Sequence, residues 1–256
     1  MTLARPLLRP VGGVGGAFAM SLDMIVQLVS TRFAFREFIE QSWFVARVSA
    51  VPAILLTIPY NVFIQFVFSV VLSEMGAADF TGAGAALAIV TQTGPYITVL
   101  IVAGAAATAM SADLGSRTIR EEIDAMRTMG INPIQRLVVP RVAAITFNAI
   151  LLNAVVIIFG LIGAYMFSVY LTNVTPGAFA ESLTFLIGYP DVIVAFLKAT
   201  LFGMAAGVIA CYKGITVSGG PQGVGNAVNQ TVVYALLCLV VINTVVTSVA
   251  APMTVS

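Results

Sequence analysis

Three stretches of this chain, Phe80 to Ala112, Val142 to Ala180 and Gly214 to Ser256, contain no Asp, Glu, Lys or Arg. Runs of this kind cannot wrap the core of a soluble domain, because their outward side would present apolar surface to water. They can be placed in lipid, where about 20 apolar residues in a helix cross a hydrocarbon core roughly 30 Å thick. The apolar residues are continuous rather than alternating, which fits helices and not barrel strands, the two structures that satisfy the backbone away from water. Of the 256 residues 59% are hydrophobic and 9% charged, with a mean hydropathy of +1.02. The expected fold is an all-α integral membrane protein.

Five transmembrane helices can be drawn: Val48 to Ser73, one within Phe80 to Ala112, one within Val142 to Ala180, Val192 to Tyr212 with its single Lys198, and Gln230 to Pro252. Pro52, Pro59 and Pro95 lie within or at the ends of spans, where neighbours can satisfy the freed carbonyls. Arg5, Arg9, Arg32, Arg36 and Arg47 precede the first span, Arg117, Arg120, Arg127, Arg136 and Arg141 lie between the second and third, and Lys213 follows the fourth. The other connections carry no basic residue. By the positive-inside rule the amino terminus and the two basic loops are expected in the cytoplasm and the carboxyl terminus outside it.

Residues 1–47 form a cytoplasmic lead-in and an interfacial helix, and residues 48–256 the five-span domain. Phe35, Phe38, Ile39 and Trp43 recur at helical spacing with Arg36, Glu37 and Glu40 between them, as in an amphipathic helix lying in the membrane plane. A cytosolic helix packed on a partner would show the same pattern. The stretch from Arg5 to Gly16 has neither a signal-peptide core nor a phosphate loop and is expected to be a flexible lead-in.

Several kinds of chemistry are excluded or disfavoured. With no histidine, a Ser-His-Asp triad is impossible, and zinc and haem sites lose their commonest ligand. Cys211 and Cys238 read as small packing residues. There is no G-x-x-x-x-G-K-[ST] run, so the chain binds no nucleotide cofactor of its own, and any ATP is hydrolysed elsewhere. Gly223-x-Gly225 follows no strand and has Val228 where a dinucleotide fingerprint needs Gly, so it reads as part of a tight turn before the fifth span.

The segment 113–137, DLGSRTIREEIDAMRTMGINPIQRL, is the polar interlude of the chain. Thr118 to Glu121 fits a capping box, Arg120 and Asp124 are spaced i,i+4, Gly130 supplies a left-handed stop and Pro133 prevents continuation. These signals predict a rigid helix of about three turns with Ile119, Ile123 and Met126 on one face and charges elsewhere. A solvated loop whose charges enforce topology is the alternative; caps at both ends favour a docking element.

The string EEIDAMRTMGINPIQRLVVPR, followed after a span-length interval by YKGITVSGGPQGVGNAVNQTVV, resembles the MlaE/YrbE permeases of ATP-driven lipid transporters that work with MCE-domain proteins. The likeness covers nearly the whole chain, including the Thr93-Gly94-Pro95 triplet, and is strongest to the actinobacterial YrbE branch. It implies a permease subunit without an ATPase site, in the inner (plasma) membrane. Its implied partners are a second permease, related but different in sequence, two cytoplasmic ATPase subunits that bind ATP and Mg, extracytoplasmic MCE proteins and a lipid substrate, with no nucleic acid. It further implies a coupling helix over Arg117–Met129, in which Arg117, Arg120, Glu121, Glu122, Asp124, Arg127 and Met129 meet the ATPase.

The sequence also departs from Gram-negative members. Thr91 and Gln92 stand where those carry an Arg-Glu pair, Ala105 replaces an arginine and Asn243 an aspartate, while Lys198 is kept. The loss of charge implies a different headgroup chemistry, such as a less charged or single-chain lipid. Lys198 either faces a cavity or snorkels. Candidate lipid-path residues are Tyr60, Phe63, Phe66 and Val67 in the first span, Leu87, Thr91, Gln92 and Tyr96 in the second, and Lys198 and Asn243; such stripes also serve as packing seams. A secondary transporter would need intramembrane carboxylates, which the spans lack, and a membrane anchor for an external complex would need no docking helix.

Overall fold

A computed structural model of the chain describes the backbone of residues 5–30 and 33–254 and the side chains of 15–27, 33–77 and 79–250. The described helices are α1 (Arg5–Ser30), α2 (Phe35–Glu74), α3 (Thr81–Ile119), α4 (Glu122–Thr128), α5 (Ile134–Leu171), α6 (Pro176–Ser182), α7 (Tyr189–Ile215) and α8 (Gly220–Thr254), with no strand among the described residues. Five of them, α2, α3, α5, α7 and α8, are long and apolar enough to cross a membrane, each where a span was expected. This is a multi-pass, all-α membrane protein.

The amino-terminal region is more helical than expected. Arg5 to Gly16, expected to be a flexible lead-in, is the first half of α1. In the second half Met20 and Met24 turn inward one helical turn apart, while Phe18, Leu22, Ile25 and Val26 face out beside Asp23. The stretch around Phe35, Phe38 and Trp43 is not a separate element; it begins α2, which runs unbroken past residue 47 and through Pro52 and Pro59. At 1.5 Å per residue α2 is about 60 Å long, roughly twice a hydrocarbon core, so its charged first turns project beyond the apolar layer that the rest crosses.

The bundle is held by small and polar residues turned inward. The buried side of α2 reads Val45, Ser49, Ala53, Thr57, Asn61, Gln65 and Ser69, one residue every fourth position, whereas Leu55, Phe63 and Val71 face out. Lipid is as apolar as a leucine side chain, so helices in it associate through close packing and hydrogen bonds rather than by hiding hydrophobes. Gln65 Nε2 donates to Ser168 Oγ of α5 at 2.8 Å, tying α2 to its main neighbour. Close approach continues at Gly203 of α7, where a Cβ would lie 2.7 Å from that of Ala149 on α5. α7 and α8 then pack against each other and against α3.

α3 is interrupted twice by widened turns, at Ile89–Thr93 and Val102–Ala107. Pro95 explains the first. It has no N–H to give the carbonyl of Thr91 four residues back, so the regular ladder cannot close there. At the second, Thr108 Oγ1 donates to the carbonyls of Gly104 (2.8 Å) and Ala105 (2.9 Å). Before α8 the expected tight turn is confined to residues 216–219, and Gly219 and the first residue of the helix, Gly220, take φ +87° and +70°. Gly223 and Gly225 already belong to the helix.

Candidate functional site: the polar segment between two spans

The single helix expected over Arg117–Met129 is split in two. Arg117 lies on the last turn of α3, and Arg120 and Glu121 form a break in which Glu121 adopts φ 61°. Only Glu122–Thr128, about two turns, stands as the separate helix α4. The capping box does not form. Thr118 is still inside α3, where no N–H is left orphaned, and its Oγ1 donates instead to the carbonyls of Leu114 and of Gly214 on α7, both at 2.9 Å. The expected stop does form. Gly130 takes φ +75°, its N–H donates to Arg127 O (3.0 Å) and that of Ile131 to Met126 O (2.9 Å), which closes the helix end around a left-handed residue. Asn132 Oδ1 then accepts from Ile134 N at 2.9 Å, opening α5.

α4 has two unlike sides. Ile123 is buried and Met126 half-buried in one apolar cluster with Met20 and Met24 of α1, Leu114 of α3, and Leu137 and Val142 of α5. Outward lie Glu121, Asp124, Arg127 and Met129, with Arg120 beside them. Arg120 does not reach Asp124 as the i,i+4 spacing suggested; it pairs with Glu122 at 3.2 Å, and Asp124 with Arg127 at 2.8 Å. Exposed pairs of this kind contribute only about 0–1 kcal/mol, so another protein's charges can displace them at little cost.

Behind α4 is a group of charges that sequence reasoning did not bring together: Arg141 was only a topology marker, Glu37 part of an amphipathic pattern and Arg117 an expected ATPase contact. Arg141 on α5 is 0% exposed and reaches three acceptors: Asp113 Oδ2 at 2.7 Å, Glu37 Oε1 at 3.7 Å and the Leu137 carbonyl at 3.4 Å. Asp113 also accepts from Arg117 Nε at 3.3 Å. The network joins α2, α3 and α5 across the two arms from which α4 hangs. A buried guanidinium tolerates loss of a partner badly, at about 3–5 kcal/mol. The available signal was positional: Asp113 and Arg141 are opposite charges at the inner edges of two uncharged runs.

Within the spans, two pairs of the candidate lipid-path residues are brought together. Lys198 on α7 donates from Nζ to the Thr91 carbonyl at 3.0 Å, the acceptor to which Pro95, four residues on, has no N–H to offer. Asn243 Nδ2 on α8 donates to Tyr96 Oη of α3 at 2.9 Å. Gln92 lies beside Thr91, half-buried, and Leu87 faces outward one turn before it. Tyr60, Phe63, Phe66 and Val67 belong to a different surface, the outward side of α2 opposite its polar stripe, where the Phe66 ring meets Phe167 of α5 edge-on.

The polar segment and the spans around it lie inside a match, over residues 38–249, to the family model described as Permease MlaE. A probable ABC transporter permease protein of Rickettsia typhi is 30% identical over 175 residues, 68% of each chain. Another from Synechocystis sp. is 27% identical over 231 residues, 89% of this chain and 86% of its own. The intermembrane phospholipid transport system permease protein MlaE of Haemophilus influenzae is 27% identical over 207 residues, 79% of each. The matched region takes in nearly all of α2, the whole of α3 to α7 and nearly all of α8, and on that extent the chain belongs to the MlaE permease family.

Proposed function

We propose that this chain is the permease subunit of an ATP-driven, MCE-type lipid transporter in the plasma membrane, with its amino terminus and α4 in the cytoplasm and its carboxyl terminus outside. The observation that carries the reading is α4 itself: a two-turn helix anchored inward by Ile123 and Met126, charged outward, and carried on the arms of two spans. A helix built this way passes a push from a soluble motor to the membrane bundle, and the motor is a pair of ATPase subunits that hold ATP and Mg. Arg120, Glu121, Glu122, Asp124, Arg127 and Met129 meet that ATPase, with Arg117 supporting them from the end of α3. A second, related permease completes the membrane core, and MCE proteins receive or deliver the lipid outside.

On this reading the lipid path runs along the side of α3 that carries Leu87, Thr91, Gln92 and Tyr96, with Lys198 and Asn243 behind it and the outward aromatic face of α2 as a further apolar wall. The chain itself forms and breaks no covalent bond. The Glu121→Lys/Asp124→Lys variant tests the central step. Both side chains point away from the bundle, so the variant is expected to reach the membrane and keep its helical content while losing the co-purifying ATPase. Retention of the ATPase at the wild-type ratio would refute the docking role.

A further inference from the structure

We infer that Glu37, Asp113 and Arg141 are positioning residues that make α4 and the amino-terminal turns of α2 move as one body, an inference that rests on the ATPase-docking role of α4. The two arms of α4 are α3, whose last two turns carry Asp113 and Arg117, and α5, which begins about two turns before Arg141. The 2.7 Å contact between Asp113 and Arg141 locks the arms together. The same guanidinium nitrogen is 3.7 Å from Glu37 Oε1, on the part of α2 that extends beyond the apolar layer. Glu37 is held toward it by Gln41, whose Nε2 donates to the same oxygen at 3.0 Å.

Apolar packing follows the same route. Phe33, just before α2, joins the cluster that receives Ile123 and Met126, and the Phe38 ring meets that of Phe147 on α5 at 5.9 Å. Charge contributes what this packing lacks. Side chains in an apolar cluster slide past one another, whereas a buried guanidinium shared by two carboxylates has few alternative arrangements without leaving a charge unpaired. Displacement of α4 is therefore delivered to α2 as well as to its own two spans.

The experiment is a spin-label distance measurement in the purified complex containing this chain and its ATPase. Labels are placed on Thr128→Cys of α4 and Ile39→Cys of α2, both exposed positions outside the proposed ATPase contacts, in a background with Cys211→Ala and Cys238→Ala. With Glu37 present, the separation is expected to agree within about 2 Å between the nucleotide-free and the ATP-vanadate-trapped complex, the scale of small helix shifts. Glu37→Gln keeps the shape and the acceptor for Gln41 and removes only the charge; with it the separation is expected to differ between the two states by more than about 3 Å. A nucleotide-dependent change of that size with Glu37 present overturns the inference, as does constancy in the Glu37→Gln protein. Absence of any ATPase from the purification would instead refute the docking role on which the inference depends.

Discussion

Replacing Lys198 by Met tests why a lysine is buried in the bundle. In the structure its ammonium stands in for one missing donor: Pro95 has no N–H for the Thr91 carbonyl four residues back, and Nζ sits 3.0 Å from that oxygen. A hydrogen bond from a charged donor contributes about 1.5–3 kcal/mol, and an unsatisfied buried carbonyl costs about 1–3 kcal/mol. Met keeps the length of the side chain and is spared the burial of a charge, which offsets part of the loss. The expected net destabilisation is about 2 kcal/mol, or roughly 4–8 °C in the thermal midpoint for a chain of this size. In a Pro95→Ala background the missing N–H is restored, and the same Lys198→Met change is expected to cost under about 0.5 kcal/mol. Thermal unfolding of the four proteins in one detergent, followed by circular dichroism, closes the cycle. Equal losses with Pro95 present and in the Pro95→Ala background would refute the link between lysine and proline.

Asp113→Asn leaves Arg141 with the longer Glu37 contact as its one ion pair and is expected to lower stability by about 2–4 kcal/mol, read as a fall in the thermal midpoint; combining it with Arg141→Met removes the stranded charge and recovers most of the loss. Glu121 occupies a left-handed conformation that costs a non-glycine residue about 1–2 kcal/mol, so Glu121→Gly is expected to leave the midpoint unchanged or raise it, and a fall would show that the break at residue 121 is misplaced. Gly203→Val forces a side chain to within 2.7 Å of the Ala149 Cβ and is expected to lower the yield of monodisperse protein in detergent severalfold, whereas Gly104→Ala, where a Cβ meets nothing within 4 Å, leaves it unchanged.

The long-range plan of the molecule was legible because lipid imposes it. Uncharged runs of span length located α2, α3, α5 and α8, an apolar run broken only by Lys198 located α7, and Gly130 marked the end of α4. Local signals failed where tertiary partners outbid them. Thr118 has the sequence of a cap, but the Gly214 carbonyl lies within its reach and α3 has not yet ended, so it bridges two helices. Arg120 and Asp124 have helical spacing, but the left-handed Glu121 between them takes Arg120 off the helix. The polar stripe of α2 was hidden by expectation as much as by sequence: Phe63 and Phe66 are the conspicuous residues, yet the bundle packs on Thr57, Asn61 and Gln65. Arg141 was visible as a charge and invisible as a partner, because pairing across 28 positions leaves no periodic trace.

The most direct test of a permease driven by a separate ATPase is to purify this chain gently from its native membrane and identify by mass spectrometry the proteins and lipids that accompany it. The account predicts an ATPase, a second permease, MCE-domain proteins and a bound lipid. Recovery of this chain alone, from a preparation that keeps other membrane complexes intact, would contradict it.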